Sequence, residues 1–126
     1  MKRVTGIGGV FIRARDPAAL RAWYATHLGI EIEPWGGAAF RWVDEHGAPV
    51  GGMTLWSASD GSTFPQGEMP FMVNYRVDDL LGLLAALREE GCPVEDRIKE
   101  SEFGKFGWVM DPEGNRVELR EPPEGR

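Results

Sequence analysis

The 126-residue sequence predicts an α+β fold built from a βαβββ unit written twice. Three observations predict it. The interval from Asp16 to Gly29 equals that from Asp78 to Gly91, and each pair brackets an apolar helical segment. The offset between the two segments is close to half the chain. Each half also closes on two β-rich runs joined by an Asp-to-Gly turn: Asp44-Glu45-His46-Gly47 in the first, Asp111-Pro112-Glu113-Gly114 in the second. The repeats run over about 4–62 and about 66–124 of one domain spanning 1–126. A unit this small cannot bury an apolar face alone, so the halves are expected to pack together or to exchange between subunits.

The elements follow in order. Residues 7–14 are short, β-rich and partly alternating, a strand. Asp16 can cap free N–H groups and Pro17 tolerates the first helical position, so a helix starts there. Leu20, Trp23, Tyr24, His27 and Leu28 form one helical stripe, and Gly29 ends it. Ile30–Glu33 reads as a strand, Phe40–Val43 and Val50–Trp56 as a hairpin, and Ser57–Pro70 as a polar connecting loop. The order then restarts. Phe71–Val77 is a strand, Asp78 a cap, Leu80–Glu90 a leucine-rich helix, and Val94–Lys99 a strand. Phe106–Met110 and Asn115–Arg120 pair as the last hairpin, with Pro112 presetting φ and Gly114 taking the left-handed position.

Composition narrows the function classes. A net charge of −6 leaves no basic footprint for nucleic acid, and it disfavours anionic membranes. No apolar run approaches the roughly 20 residues that span a bilayer, and the apolar run after Met1-Lys2-Arg3 is broken by glycines and stopped by Arg13. The single cysteine, Cys92, cannot form an internal disulfide and reads as a small core filler, which fits a cytoplasmic protein. Gly6, Gly8 and Gly9 lack the spacing and the following helix of a phosphate loop.

Arg15-Asp16-Pro17 leading to Leu28-Gly29, Val77-Asp78-Asp79 leading into the second helix, and Asp111 through Leu119 at the end together resemble the glyoxalase/bleomycin-resistance/dioxygenase superfamily, the vicinal oxygen chelate proteins. The resemblance covers nearly the whole chain, and its last motif is the most specific part. It implies paired modules whose mixed sheet curls into a cup with helices on the outer face, and a homodimer.

Strand alternation then sorts the residues by face. It leaves Gly9, Phe11 and Arg13 on the cup side of the first strand, and Gly52, Thr54 and Trp56 on the fourth. It leaves Met72, Asn74 and Arg76 on the fifth, and Arg116, Glu118 and Arg120 on the last. Such a mixture of aromatic and polar groups suits a small organic ligand. Phe11 and Trp56 are placed to stack on it, although a tryptophan also suits a dimer seam. Arg13, Arg76, Arg116 and Arg120 either converge on an anion or lie as solvated rim charges.

Metal-dependent members of the superfamily hold a divalent ion with four side chains, one from each of these strands. The matching positions are Gly9, Thr54, Met72 and Glu118, and only Glu118 is of ligand type. A one-residue shift in the fourth strand offers Met53 or Leu55, neither of them a ligand. His27 late in the first helix and His46 in a turn lie elsewhere. No metal or other cofactor is therefore expected. Glu118 is either a structural ion-pair partner of the arginines or the catalytic or ligand-orienting carboxylate, its pKa pushed up by burial or down by arginine. The resemblance thus points to a small-molecule-binding protein without the usual metal. Its alternative is a lyase, isomerase or dioxygenase acting on a small oxygenated substrate, and a third possibility is a scaffold whose cup is filled by its own side chains.

Overall fold

Both bracketed segments are helices. In the computed structural model, which describes residues 3–60 and 70–123, the order is β1 (Val4–Arg13), α1 (Pro17–Leu28), β2 (Gly37–Val43), β3 (Pro49–Ser59), β4 (Phe71–Val77), α2 (Leu80–Glu89), β5 (Lys99–Ser101), β6 (Gly104–Met110) and β7 (Arg116–Glu121). The fold is α+β, with seven strands in mixed sheet. Its contacts resolve into two units: one spans Gly9–Phe71, and the other joins the chain up to Gly8 with the chain from Met72 onward. No helix among the described residues is long and apolar enough to cross a membrane.

In the unit Gly9–Phe71 the strand order is β2-β3-β1, antiparallel then parallel. The Asp16 carboxylate accepts from Ala19 N at 3.1 Å, Pro17 takes the first turn, and Gly29 closes α1 at φ 70°. The Asp44 carboxylate gathers the N–H groups of His46 and Ala48 and so folds the hairpin between β2 and β3. Paired residues of a parallel ladder share a face. Register therefore sets Val10 with Trp56 and Ile12 with Ala58, on the face opposite Gly9, Phe11, Leu55 and Ser57. α1 covers the first of these faces. The Tyr24 ring lies 4.9 Å from that of Trp56, and Arg21 donates twice to the Ala58 carbonyl. The cover is partial, since no residue of α1 is fully buried and Trp23 remains 50% exposed.

In the other unit the order is β1-β4-β7-β6-β5. β4 and β7 run parallel, pairing Asn74 with Glu118, Tyr75 with Leu119 and Arg76 with Arg120. β6 and β7 run antiparallel around the Asp111 turn, pairing Trp108 with Glu118 and Gly107 with Leu119. One face buries Val77 and Leu119 against Leu80, Leu83 and Leu84 of α2, with Tyr75, Val109 and Val117 at its border. Gly107 sits beneath α2 because a Cβ there would stand 2.8 Å from a Leu84 methyl. The opposite face carries Asn74, Arg76, Trp108, Glu118 and Arg120.

The structure corrects five local expectations. Ile30–Glu33 is not a strand: Pro34 has no N–H to donate, and Glu33 N turns onto the Gly37 carbonyl instead. Asp79 caps α2, not Asp78, because only its carboxylate reaches Gly82 N, at 3.1 Å. Within Val94–Lys99 only the two ends pair: Val94 bridges to Val109, and Lys99 opens β5 opposite Phe106. Ser57–Ser59 extend β3 instead of starting the loop, because the parallel ladder with β1 continues through them; 61–69 of the expected loop lie outside the described residues. His27, which its place in the helical stripe would half-bury, is exposed, its ring 5.1 Å from that of Trp23.

Candidate functional site

Glu118 is one of three buried polar side chains among the described residues, with Asn74 and Arg120. It is 7% exposed, lies at the centre of β7, and has neighbours on both sides in register. From β4, the amide of Asn74 donates to its Oε1 at 2.6 Å; from β6, the indole N–H of Trp108 donates to its Oε2 at 2.9 Å. Each carboxylate oxygen is thus fixed by a group from a different strand. Asn74 is 1% exposed and Trp108 4%. Burial pushes the Glu118 carboxyl above the usual carboxylate range, against the two hydrogen bonds and the charges of Arg116 and Lys99, which pull it down. Gly8 belongs to the same cluster, since a Cβ there would run into Asn74 Oδ1. That oxygen has no hydrogen-bond partner among the described residues.

Two layers of cation surround this point. Arg116 holds its guanidinium 4.7 Å over the Trp108 ring while donating two hydrogen bonds to Glu95, at 2.5 and 2.8 Å. Those bonds keep the Glu95 carboxyl below its ordinary range. Arg97 lies 5.1 Å from the same indole. Arg76 and Arg120 pair across β4 and β7, one rung further along the face that carries Glu118. Arg120 is 7% exposed and its Nε finds no acceptor among the described residues. Burial and then the charge of Arg76 lower its pKa, and Glu118 opposes them.

The sequence-derived residues divide accordingly. Met72, Asn74, Arg76, Glu118 and Arg120 share the face opposite α2, as alternation predicted, and Met72 is buried. Arg116 shares it too, tied to Glu95. Phe11 and Arg13 lie in the other unit, on the face of β1 opposite α1, and Phe11 packs beside Gly9. Thr54 and Trp56 do not face the cup side: Trp56 pairs with Val10 and stacks on Tyr24 of α1, and Thr54 Oγ1, on the same side of β3, accepts from Trp42 Nε1 at 2.8 Å. Apolar residues occupy both faces of β3, so hydrophobicity could not choose between them. It is Leu55 that stands beside Gly9.

Gly9 and Leu55 offer no ligand atom, the Met72 thioether is a soft donor, and both oxygens of Glu118 are already engaged. Among the described residues no three His, Cys, Asp or Glu side chains gather in a way that would hold a metal ion.

Sequence reasoning missed Trp108 and Glu95. The first was within reach, because counting outward from the Asp111 turn sets Trp108 opposite Glu118. Glu95 gave no signal, as it lies in an irregular stretch placed by the Val94–Val109 bridge and by Arg88, which donates to the Glu95 carbonyl.

Comparison with known proteins supports this architecture. A family model described as a glyoxalase-like domain matches residues 9–120. A solved methylmalonyl-CoA epimerase in complex with methylmalonyl-CoA and NH4+ superposes with a TM-score of 0.71 at 17% identity, covering 96% of each chain. Methylmalonyl-CoA epimerase from Mycobacterium tuberculosis gives 0.63 at 22%, covering 95% of this chain and 89% of its own. A glyoxalase/bleomycin resistance protein/dioxygenase superfamily member from Vibrio splendidus 12B01 gives 0.59 at 14%, covering 94% and 98%. At these identities the structures speak for the fold alone. No curated protein matches.

Proposed function

The chain belongs to the glyoxalase-like domain family, and on that premise we propose that it binds a small organic molecule over the face of β4, β7 and β6 that carries Glu118, without the divalent metal used elsewhere in the superfamily. The observation that carries this reading is the burial of Asn74, Glu118 and Arg120 together on the face opposite α2. Buried polar groups cost stability unless each finds a partner, and here Asn74 Oδ1 and Arg120 Nε have none. A core kept only for stability would fill such a face with apolar side chains. In this reading Glu118 touches the ligand, Met72 and Trp108 supply apolar contact, and Arg76 and Arg120 supply polar contact. A structural neighbour was solved in complex with methylmalonyl-CoA, and at 17% identity it supports the fold and names no ligand for this chain.

The test is a thermal-shift screen of uncharged and charged small molecules against wild type and Trp108→Phe. Ligands should raise the melting temperature of wild type, and Trp108→Phe should weaken them by about tenfold through loss of the Glu118 anchor. A screen in which nothing shifts the wild type would defeat the proposal in favour of a self-filled scaffold.

A second reading has its own support. The Glu118 carboxyl, raised by burial and held between two N–H donors, has the character of a group that exchanges a proton with a bound substrate. This favours a lyase or isomerase acting on an oxygenated substrate, with Glu118 as general base. Turnover abolished in Glu118→Gln while binding persists would establish it. We also read the protein as a cytoplasmic homodimer: the lone Cys92 suits a reducing compartment, and the exposed Trp23 and Leu28 of α1 offer apolar surface for a second copy.

A further inference from the structure

We propose that Asn74 positions the proton of Glu118: the carboxyl takes its proton at Oε1 alone, and Asn74 turns its amide over to accept a hydrogen bond from that O–H through Oδ1. This deepens the proton-exchange reading of Glu118 and rests on it. The two oxygens of Glu118 face different chemistry. Oε2 meets the indole N–H of Trp108 at 2.9 Å, and an indole nitrogen donates but does not accept. A proton on Oε2 would compete with that N–H and find no acceptor there, so Oε2 stays bare in both states. Oε1 meets the side-chain amide of Asn74, which carries a donor at one end and an acceptor at the other. Turning the amide over puts Oδ1 where Nδ2 stands and leaves the outline of the side chain unchanged.

Asn74 is 1% exposed and its Oδ1 has no hydrogen-bond partner among the described residues, so an idle acceptor already stands in the cluster. The contact from Asn74 to Oε1 is 2.6 Å long. That is shorter than an N–H···O bond ordinarily runs and lies within the O–H···O range. Gly8 lies against the Oδ1 end, where a side chain would collide, and its bare backbone leaves room for either end of the amide. Each orientation leaves one polar end over Gly8, so the turn exchanges one unpaired group for another and keeps the bond to Glu118. The charged groups around the carboxyl are Arg116 and Arg120 of β7, Arg76 of β4, Lys99 of β5 and, over the Trp108 ring, Arg97. All are cations: they favour the carboxylate, and none can accept from its protonated form. Glu95 is held by both donors of Arg116. Burial opposes the cations and favours the acid. In proton abstraction the substrate's bond to hydrogen breaks, its electron pair stays on the substrate, and the proton bonds to Oε1.

The experiment follows the full chain, labelled with ¹³C and ¹⁵N, by NMR from about pH 9 down to about pH 4, a range that brackets a raised carboxyl. The two asparagines are Asn74 and Asn115, and Asn115, held to Asp111 at 2.8 Å, is the control. The Asn74 NH2 resonances should shift with the same midpoint as the Glu118 carboxyl carbon, while those of Asn115 stay in place. In the acid form the Asn74 NH2 protons should gain an NOE to the Gly8 Hα protons, because the turn carries them there. The Trp108 indole proton should stay protected from exchange with water throughout. In Glu118→Gln, whose NH2 group stands for the protonated carboxyl, the NOE to Gly8 should be present at every pH. Should Glu118→Gln fail to fold, the wild-type titration decides alone. If Glu118 titrates and no NOE to Gly8 appears, or the indole proton loses its protection, the role of Asn74 is overturned and proton exchange by Glu118 stands. If the Glu118 carboxyl carbon holds one position over the whole range, both fail.

Discussion

At the scale of single residues, the Glu118 cluster sets opposing pH dependences against each other. Burial raises the Glu118 pKa in the folded protein, so its contribution favours the fold below the ordinary carboxylate range and is lost as pH rises through the raised value. Glu95 behaves oppositely. Its pKa is lowered by Arg116, so its contribution is present above the ordinary range and disappears as pH falls through the lowered value. Glu118→Gln should therefore remove the decline in Tm on the alkaline side and leave the acid side intact, as read by calorimetry from pH 3 to about pH 8. The substitution is tolerable because Asn74 can rotate its amide and offer its partnerless Oδ1 to the new NH2 group. An unchanged alkaline limb would show that Glu118 ionises in the folded protein as it does in the unfolded chain. Gly8→Ala drives a methyl into Asn74 Oδ1 and should cost about 1–3 kcal/mol in urea unfolding. Alternation assigned Asn74 and Glu118 to one face correctly. No periodicity could reveal that Asn74 and Trp108 fix separate oxygens of one carboxylate, because that depends on register across three strands.

At the scale of elements, the caps and turns are the most legible features and α2 the best test of them. Asp79→Ala should cost about 1 kcal/mol and Asp78→Ala less than about half of that; equal losses would contradict the capping bond to Gly82. Gly107→Ala should destabilise by about 1–3 kcal/mol, because the leucine face of α2 rests on the bare backbone of β6. The two Asp-to-Gly turns were readable because each is settled locally. An aspartate side chain collects the N–H groups two and four residues on, and glycine takes positive φ at Gly47 and Gly114. β3 was not readable in the same way. Met53 and Leu55 alternate with Trp56 and Ala58, so both phases present apolar side chains, and only the ladder with β1 shows which phase meets α1.

At the scale of the whole molecule, two expectations follow from the family and from the donor set. Dialysis against Zn²⁺, Ni²⁺, Mn²⁺ or Fe²⁺ should leave no stoichiometric metal, since the four strand positions supply one carboxylate whose oxygens are engaged. A retained ion lost in Glu118→Ala would reverse that reading. Sedimentation equilibrium should give twice the chain mass of 14.0 kDa. A single-chain mass at micromolar concentration would remove the homodimer.

The sequence by itself determined the α+β class, the order of the elements apart from the absent strand at Ile30–Glu33, both helix starts to within one residue, both hairpin turns and the resemblance to the family. Each of these is written in residues a few positions apart, where backbone sterics and a single side chain decide. Only the tertiary structure decided which face of β3 meets α1, that Trp108 and Asn74 hold Glu118 between them, and that Arg116 is spent on Glu95 while Arg120 is not. Those facts depend on strand register, which brings residues distant in sequence to adjacent rungs, and on how far each charge is withdrawn from water.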